Sequence, residues 1–383
     1  MRGSSTKGDP MMHDRTPAQV LAPGEFLKQE LECRGWSQAE LAEILARPPR
    51  LISELVSGKR AITPETAKGL EAALGTSAVL WMNLEAGYQL SRTRVETAAV
   101  ARRAKIYEKF PVREMLRRGW VRQARDLASL ESNFCEFFGI ASVDEAPAFG
   151  HAAKKQNYDS VPLVLQLAWL KRAEQLAKKV ESKAFSINAL KSAIDRLKPC
   201  LRELEGVQKA SETLREAGIR LVVVEFLPGA KLDGACFWIN NAKSPVIALS
   251  LRLDRIDNFW HTLFHEIDHV LHGEGKGEPI VDLLDAEQST EQSIPEIERR
   301  ANKNAADYCV DQKAIEEWIG AAARINSRHT ILEFADEVGV HPGLVVGQLQ
   351  HRGLIPYSYH RDLLEKTRHL VVASTPTDGF GKT

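Results

Sequence analysis

From Asn258 to His272 the chain spells a helix with an apolar back and a histidine front, and no other segment constrains the fold as tightly. Trp260, Leu263, Phe264, Ile267, Val270 and Leu271 recur at helical spacing and need a core to lie on. His265 and His269, at i and i+4, project together from another face, close enough to share one metal ion. Glu266 adjoins the first of them and completes a His-Glu-x-x-His pattern. A suitable third ligand follows at Glu298, in a helix opened by Ile294-Pro295, with Glu296 as its competitor. The expected centre holds one Zn2+ per chain through His265, His269 and Glu298, leaving a fourth position for water. Glu266 is the expected general base, taking a proton from that water and passing it to a leaving amine. Asn302, one turn after Glu298, is placed to support a ligand histidine, and Asp268 adds a carboxylate near the metal. His261 and His272 are read as surface or pocket-rim histidines; a His261/His265 pair would leave Thr262 where the base belongs.

The grammar around this helix changes three times along 383 residues, a length that favours two or three domains. Residues 1–22 lack periodicity and read as a disordered leader. Residues 23–90 read as short capped helices, 91–217 as a helical connecting region, and 218–320 as the domain of the histidine helix. A C-terminal helical segment (321–370) and a disordered tail (371–383) complete the chain. Three short strands are expected, from Ile219 to Val224, Ala235 to Ile239 and Val246 to Ser250, separated by Pro228-Gly229, Asn240-Asn241 and Ser244-Pro245. The fold class is mostly α with a small β-sheet. Between Arg92 and Arg122, basic residues outnumber acidic ones, which fits a solvated helical face or a phosphate-contacting extension of the N-terminal domain.

Near the N-terminus, Ser37 sits as an N-cap with Glu40 three residues on, a capping-box spacing. The helix from Gln38 ends near Leu45, and a tight connection at Ala46-Arg47 leads to a second helix through Ile52, Leu55 and Val56. Thr63-Pro64 then caps and starts another. Two short helices so joined are how a helix-turn-helix places its second helix in the major groove. Prolines 48 and 49 occupy the start of that second helix, leaving Arg50 as the evident bidentate guanine reader.

Lys plus Arg (51) and Asp plus Glu (51) cancel, so any basic surface must be local. No apolar run approaches the roughly 18 residues of a membrane helix, and no secretory signal is seen. Five scattered cysteines without a Cys-x-x-Cys pair argue against a disulfide framework and point to a reducing cytoplasm.

Pro23 to Leu27, Trp36 to Ala42, Ser53 to Ala67 and Leu80 to Leu84 together resemble the HigA-type antitoxins of the XRE helix-turn-helix superfamily. That resemblance implies operator DNA as partner, with Gln38 and Lys59 or Arg60 on phosphates, and a homodimer. Pro245 to Arg252, Asp257 to Trp260, Thr262 to Glu266 and Glu298 to Asn302 look like the ImmA/IrrE-type metallopeptidases, as does Phe334 to His351. What this implies is a zincin-like fold that uses the ligands and base named above. The strand Val246 to Ser250 would be the edge for an extended peptide. Asp268 stands where that family has glycine. The function so read is a DNA-binding regulator whose zinc endopeptidase domain cleaves a repressor, a partner such as a cognate toxin, or itself. The alternative is a non-enzymatic repressor with a structural or sensing metal domain.

Overall fold

The computed structural model describes residues 21–93, 97–145, 147, 161–283, 295–321 and 324–379. Most of the expected leader therefore lies outside the described residues. Two compact units are present, one up to Ala98 and one from Ala99.

The first unit is five helices: α1 (Pro23–Arg34), α2 (Gln38–Ile44), α3 (Pro49–Val56), α4 (Pro64–Leu74) and α5 (Ala78–Arg92). Leu27, Leu41, Ile52, Leu55, Leu70 and Trp81 form its buried centre. The capping box is present: Glu40 N–H donates to Ser37 Oγ at 3.2 Å and Ser37 N–H to Glu40 Oε2 at 2.6 Å. Such a cap stabilises by about 1 kcal/mol. Thr63 caps α4 in the same way, accepting from Thr66 N–H. Gly24 is dictated by contact, since a Cβ there would lie 2.4 Å from the carbonyl oxygen of Val56. The α2–α3 connection turns through Ala46, whose φ of 49° is a left-handed conformation that costs a non-glycine residue about 1 kcal/mol.

The second unit comprises α6 (Thr97–Lys109), α7 (Val112–Arg117), α8 (Leu127–Phe138), α9 (Val161–Ala177), α10 (Ile187–Leu197), α11 (Lys209–Glu216), β1 (Arg220–Val223), β2 (Leu232–Ile239) and β3 (Ser244–Leu249). After these come α12 (Ile256–Leu271), β4 (Ile280–Leu283), α13 (Glu296–Cys309), α14 (Gln312–Ala321), α15 (Arg328–Val338), α16 (Pro342–His351) and α17 (Arg368–Ser374). The sheet order is β1-β3-β2-β4. β1 and β3 are parallel, while β2 runs antiparallel to both β3 and β4.

Alternate strand residues face opposite ways, and both faces are covered. Leu221, Val223, Cys236, Ile247 and Leu249 share a core with α12 and with residues of α10, α11, α15 and α16. Val222, Ala235, Phe237, Val246 and Ala248 share another with Phe110, Phe134, Phe138 and Trp169. The span 91–217 is therefore no connecting region: its first helices close one face of the sheet and its last two close the other. The span 321–370 is likewise part of the same core, through Ile331, Phe334, Leu344 and Leu349. Much of the basic charge after Arg92 is engaged locally. Arg102 pairs with Glu131 and Lys105 with Asp144, while Lys109 donates to the Val143 carbonyl and buried Arg118 to those of Glu225 and Phe226.

Two expectations are corrected at the sheet. A fourth strand, β4, follows the histidine helix. The C-terminal stretch is not a loose tail over its described part: α17 continues to Ser374, and Val223 N–H donates to the Pro376 carbonyl at 2.8 Å beside a parallel bridge between Val223 and Thr377. Asp378 anchors it, accepting from Trp120 Nε1 at 3.2 Å, 3.9 Å from the guanidinium of Arg118. Among the described residues no helix is long and apolar enough to cross a membrane.

Asp378→Ala would strip a buried acceptor from Trp120 and Arg118. It should lower stability in urea unfolding by about 1–3 kcal/mol; an unchanged midpoint would show that the C-terminal segment is not an anchor.

Candidate metal centre and nucleic-acid interface

α12 is enclosed on nearly every side, so His265, Glu266, Asp268 and His269 are buried with its apolar residues. α13 packs along it through Ala301 and Ala305, both fully buried and small enough for close approach. Around those alanines α13 presents Glu298 and Asn302 on one side, Arg300 and Asn304 on the other. Each pair is spaced i, i+4.

Three donor atoms converge: His265 Nε2 and His269 Nε2 are 3.0 Å apart, and Glu298 Oε2 lies 3.1 Å from the first and 3.7 Å from the second. A tetrahedral zinc with bonds of about 2.0–2.2 Å separates its ligands by roughly 3.3–3.6 Å. The triangle fits. Its electrostatics fit as well, because His265 Nδ1 meets Asn302 Oδ1 at 2.9 Å and His269 Nδ1 meets Glu274 Oε2 at 2.6 Å. Those oxygens accept, so each neutral ring donates from Nδ1 and turns a bare Nε2 lone pair inward. Two lone pairs and a carboxylate oxygen facing one another are what a cation stabilises. Among the described residues this is the one cluster of three such ligands. Glu296, the competing ligand, is exposed.

The charges respond to this packing. Burial raises the Glu298 carboxyl, but with no cation between them His265 and His269 can carry a proton at Nε2, and their hydrogen bonds outweigh burial and draw the pKa to about 2. Burial lowers His269, yet Glu298 and Glu274 outweigh that and raise it. His261 falls to about 4 through burial, then the neighbouring charges of His265 and His351.

Asp268 does not join the cluster, because both of its oxygens are engaged: Arg300 Nε donates to Oδ2 and Asn304 Nδ2 to Oδ1, each at 2.8 Å. The carboxylate that meets His269 Nδ1 is Glu274, five residues after His269 in a glycine-flanked turn. The sequence reading missed it, although a carboxylate shortly after the second histidine is the signal to look for. His272 Nδ1 sits on the Asp268 carbonyl at 2.8 Å, Tyr308 packs on Phe264, and the His261 ring centre is 6.5 Å from that of His265.

Glu266 faces β2. A Cβ on Gly234 would lie 2.5 Å from Glu266 Oε1, so glycine makes room for this carboxylate. Gly234 belongs to an irregularity in the β2–β4 pairing between Leu232 and Ala235, where one strand carries an extra residue. Asp233 beside it is held by Arg252 in a two-pronged ion pair of 2.7 and 3.0 Å, and Ser250 Oγ donates to the Leu232 carbonyl. The expectation that Val246 to Ser250 offers a peptide edge is overturned: β3 is interior, and both its sides are hydrogen-bonded.

In the first unit α3 begins at Pro49 with no side-chain cap, its proline φ suiting a helix start. Arg50 is 89% exposed, and its Nε donates to Glu54 Oε1 at 2.8 Å. Arg60 Nη1 approaches Glu54 Oε2 at 3.3 Å. One carboxylate thus holds two candidate DNA-contacting arginines. Gln38, opening α2, and Lys59 are exposed.

Comparison with known proteins bears on this unit. The helix-turn-helix family HTH_3 matches residues 27–81. Virulence-associated protein A of Dichelobacter nodosus is 45% identical over 78 residues, 20% of this chain and 76% of that protein. An uncharacterised HTH-type transcriptional regulator of Escherichia coli K12, YddM, is 32% identical over 80 residues, 21% of this chain and 84% of that protein. A solved addiction module antidote protein of the HigA family from Coxiella burnetii is 31% identical, covering 24% of this chain and 94% of that one, with a TM-score of 0.19. The family match stops at residue 81, so the metal cluster stands on its own geometry. Through its N-terminal unit, the chain belongs to the XRE-type helix-turn-helix family.

Proposed function

We propose that this chain is a DNA-binding regulator whose second unit is a zinc-dependent endopeptidase. The observation that carries the enzymatic half is the triangle of His265 Nε2, His269 Nε2 and Glu298 Oε2 beside the buried carboxylate of Glu266. Zinc bound there would supply Lewis acidity, polarising a peptide carbonyl and acidifying water. His265 and His269, through Nε2, and Glu298, through Oε2, would hold the ion, with the histidine Nδ1 atoms oriented by Asn302 and Glu274. Glu266 takes a proton from the attacking water at its carboxylate and delivers it to the leaving amine nitrogen. The bulge at Gly234, braced by Arg252 and Ser250, keeps β2 clear of that carboxylate.

The substrate is an extended peptide segment of a repressor, a partner protein or the chain itself. β1 is joined on its outer side at Val223 by residues 376–378, and β3 and β2 are interior. Among the described residues this leaves the outer side of β4 for strand addition. For the first unit, operator binding by a dimer follows from the helix-turn-helix, with α3 toward the bases and Gln38, Lys59 and Arg60 toward phosphates.

Purified protein should carry about one zinc per chain by mass spectrometry. Glu266→Gln should retain it while abolishing cleavage of the physiological partner. Zinc retention with no cleavage by either form would favour a sensing role for the metal domain. Gly234→Ala should also impair cleavage, by crowding Glu266 rather than releasing zinc, and full activity in that variant would contradict the placement of the base. On DNA, Lys59→Ala with Arg60→Ala should weaken binding across all sequences and lower the salt slope by about 2. Glu54→Gln should strengthen binding, because it releases Arg50 and Arg60; no change in either variant would remove this face from the interface.

A further inference from the structure

We propose that Asp268, Arg300 and Glu274 form a positioning relay that holds His269 in the state required of a zinc ligand; the inference rests on the metal-centre reading above. Asp268 is 1% exposed. Its carboxylate grips Arg300 Nε at 2.8 Å, and the same guanidinium reaches Glu274 Oε2 through Nη2 at 2.7 Å. That one Glu274 oxygen is also the acceptor for His269 Nδ1 at 2.6 Å. The chain of contacts therefore runs from Asp268 through Arg300 and Glu274 to the imidazole whose Nε2 faces the other ligands.

Each member has a separable role. Glu274 fixes the proton on His269 Nδ1 and so leaves Nε2 bare. Arg300 orients the Glu274 carboxylate, donating to its Oε2 through Nη2. Asp268 balances Arg300. Without that balance a guanidinium would stand uncompensated near a divalent cation and would compete with His269 for Glu274.

The backbone of Glu274 is pinned independently of the relay. Its N–H donates to the His269 carbonyl at 3.0 Å, and its own carbonyl accepts from Trp238 Nε1 at 2.7 Å. Gly275 follows at a φ of 76°, where a Cβ would come within 2.7 Å of the Cys236 carbonyl. The turn is thus held in place, and changes in the relay act through charge and orientation rather than through collapse. Asp268 is on this account a positioning residue and not a ligand.

The test is a zinc competition titration of the full chain against a chromophoric chelator. Asp268→Asn and Glu274→Gln should each weaken zinc binding about 10- to 100-fold. Asp268→Asn combined with Arg300→Gln should bind no more weakly than Arg300→Gln alone, because Asp268 acts through Arg300. Nitrogen-15 spectra of the imidazoles should show the His269 Nδ1 proton in wild type and its loss of fixation in Glu274→Gln. Melting of the metal-free variants separates a folding defect from a binding one, and the partly exposed Glu274 keeps the test alive if Asp268→Asn does not fold. Unchanged affinity in both single variants, or an additive double variant, would overturn the relay and leave the metal centre intact. Folded wild-type protein that takes up no zinc would overturn the centre and the relay together.

Discussion

A helix sealed inside a protein must give every polar side chain it carries a partner, and α12 carries two imidazoles and two carboxylates that are all at most 1% exposed. An unpaired carboxylate in such surroundings costs several kcal/mol, comparable with the whole stability of a domain. Much of the second unit answers this requirement. α13 contributes Glu298 and Asn302 to the histidines and Arg300 and Asn304 to Asp268, with Ala301 and Ala305 between them so that the two helices can approach. The turn after α12 contributes Glu274. The same constraint explains the glycine at 234, since the remaining carboxylate, Glu266, is accommodated against backbone with no side chain in the way.

The sheet carries this arrangement because both of its faces are covered. With helices on each side, β2 and β3 are locked in register by backbone pairing, and an irregularity in β2 persists where Arg252 and Ser250 brace it. Closing β1 with the C-terminal segment has a second consequence, for an exposed edge invites uncontrolled pairing. The anchor at Asp378 reduces that hazard at the Val223 end of β1, and on the proposed reading strand addition would fall to β4 at the other side of the sheet.

Legibility in the sequence followed the range of the interactions. The capping box at Ser37 and Glu40, the Thr63-Pro64 helix start and the i, i+4 histidines are local, and each is found where its spacing predicts. Glu298 and Asn302 are also placed as their spacing predicts, one helical turn apart on the face that meets His265. Non-local features were not readable. Nothing in Val246 to Ser250 says that this strand is interior, because strand order is decided by chain crossings far away in sequence. The helices from Thr97 to Ala177 look like a linker until the sheet supplies a face for Phe110, Phe134 and Trp169 to cover. Asp268 posed the same problem in miniature: its spacing places a carboxylate near the histidines, but not that Arg300 and Asn304, a helix away, engage both of its oxygens.

The first unit shows how a neutral chain can still address a polyanion. Phosphate binding needs local positive charge, which Arg50 at the start of α3 and Lys59 and Arg60 just beyond its end offer. Glu54 sits among them and holds two of the three. At exposed positions such pairs add little to stability, so they present little barrier to rearrangement when DNA competes for the arginines. Their effect falls instead on discrimination. A carboxylate next to the backbone of any DNA is repelled, whereas one that loses its arginines to correctly placed bases and phosphates is exposed only when those contacts form in its stead. With prolines at the start of α3, few side chains there can donate to base edges, so on the proposed reading selectivity would rest on Arg50 and on the terms under which Glu54 releases it.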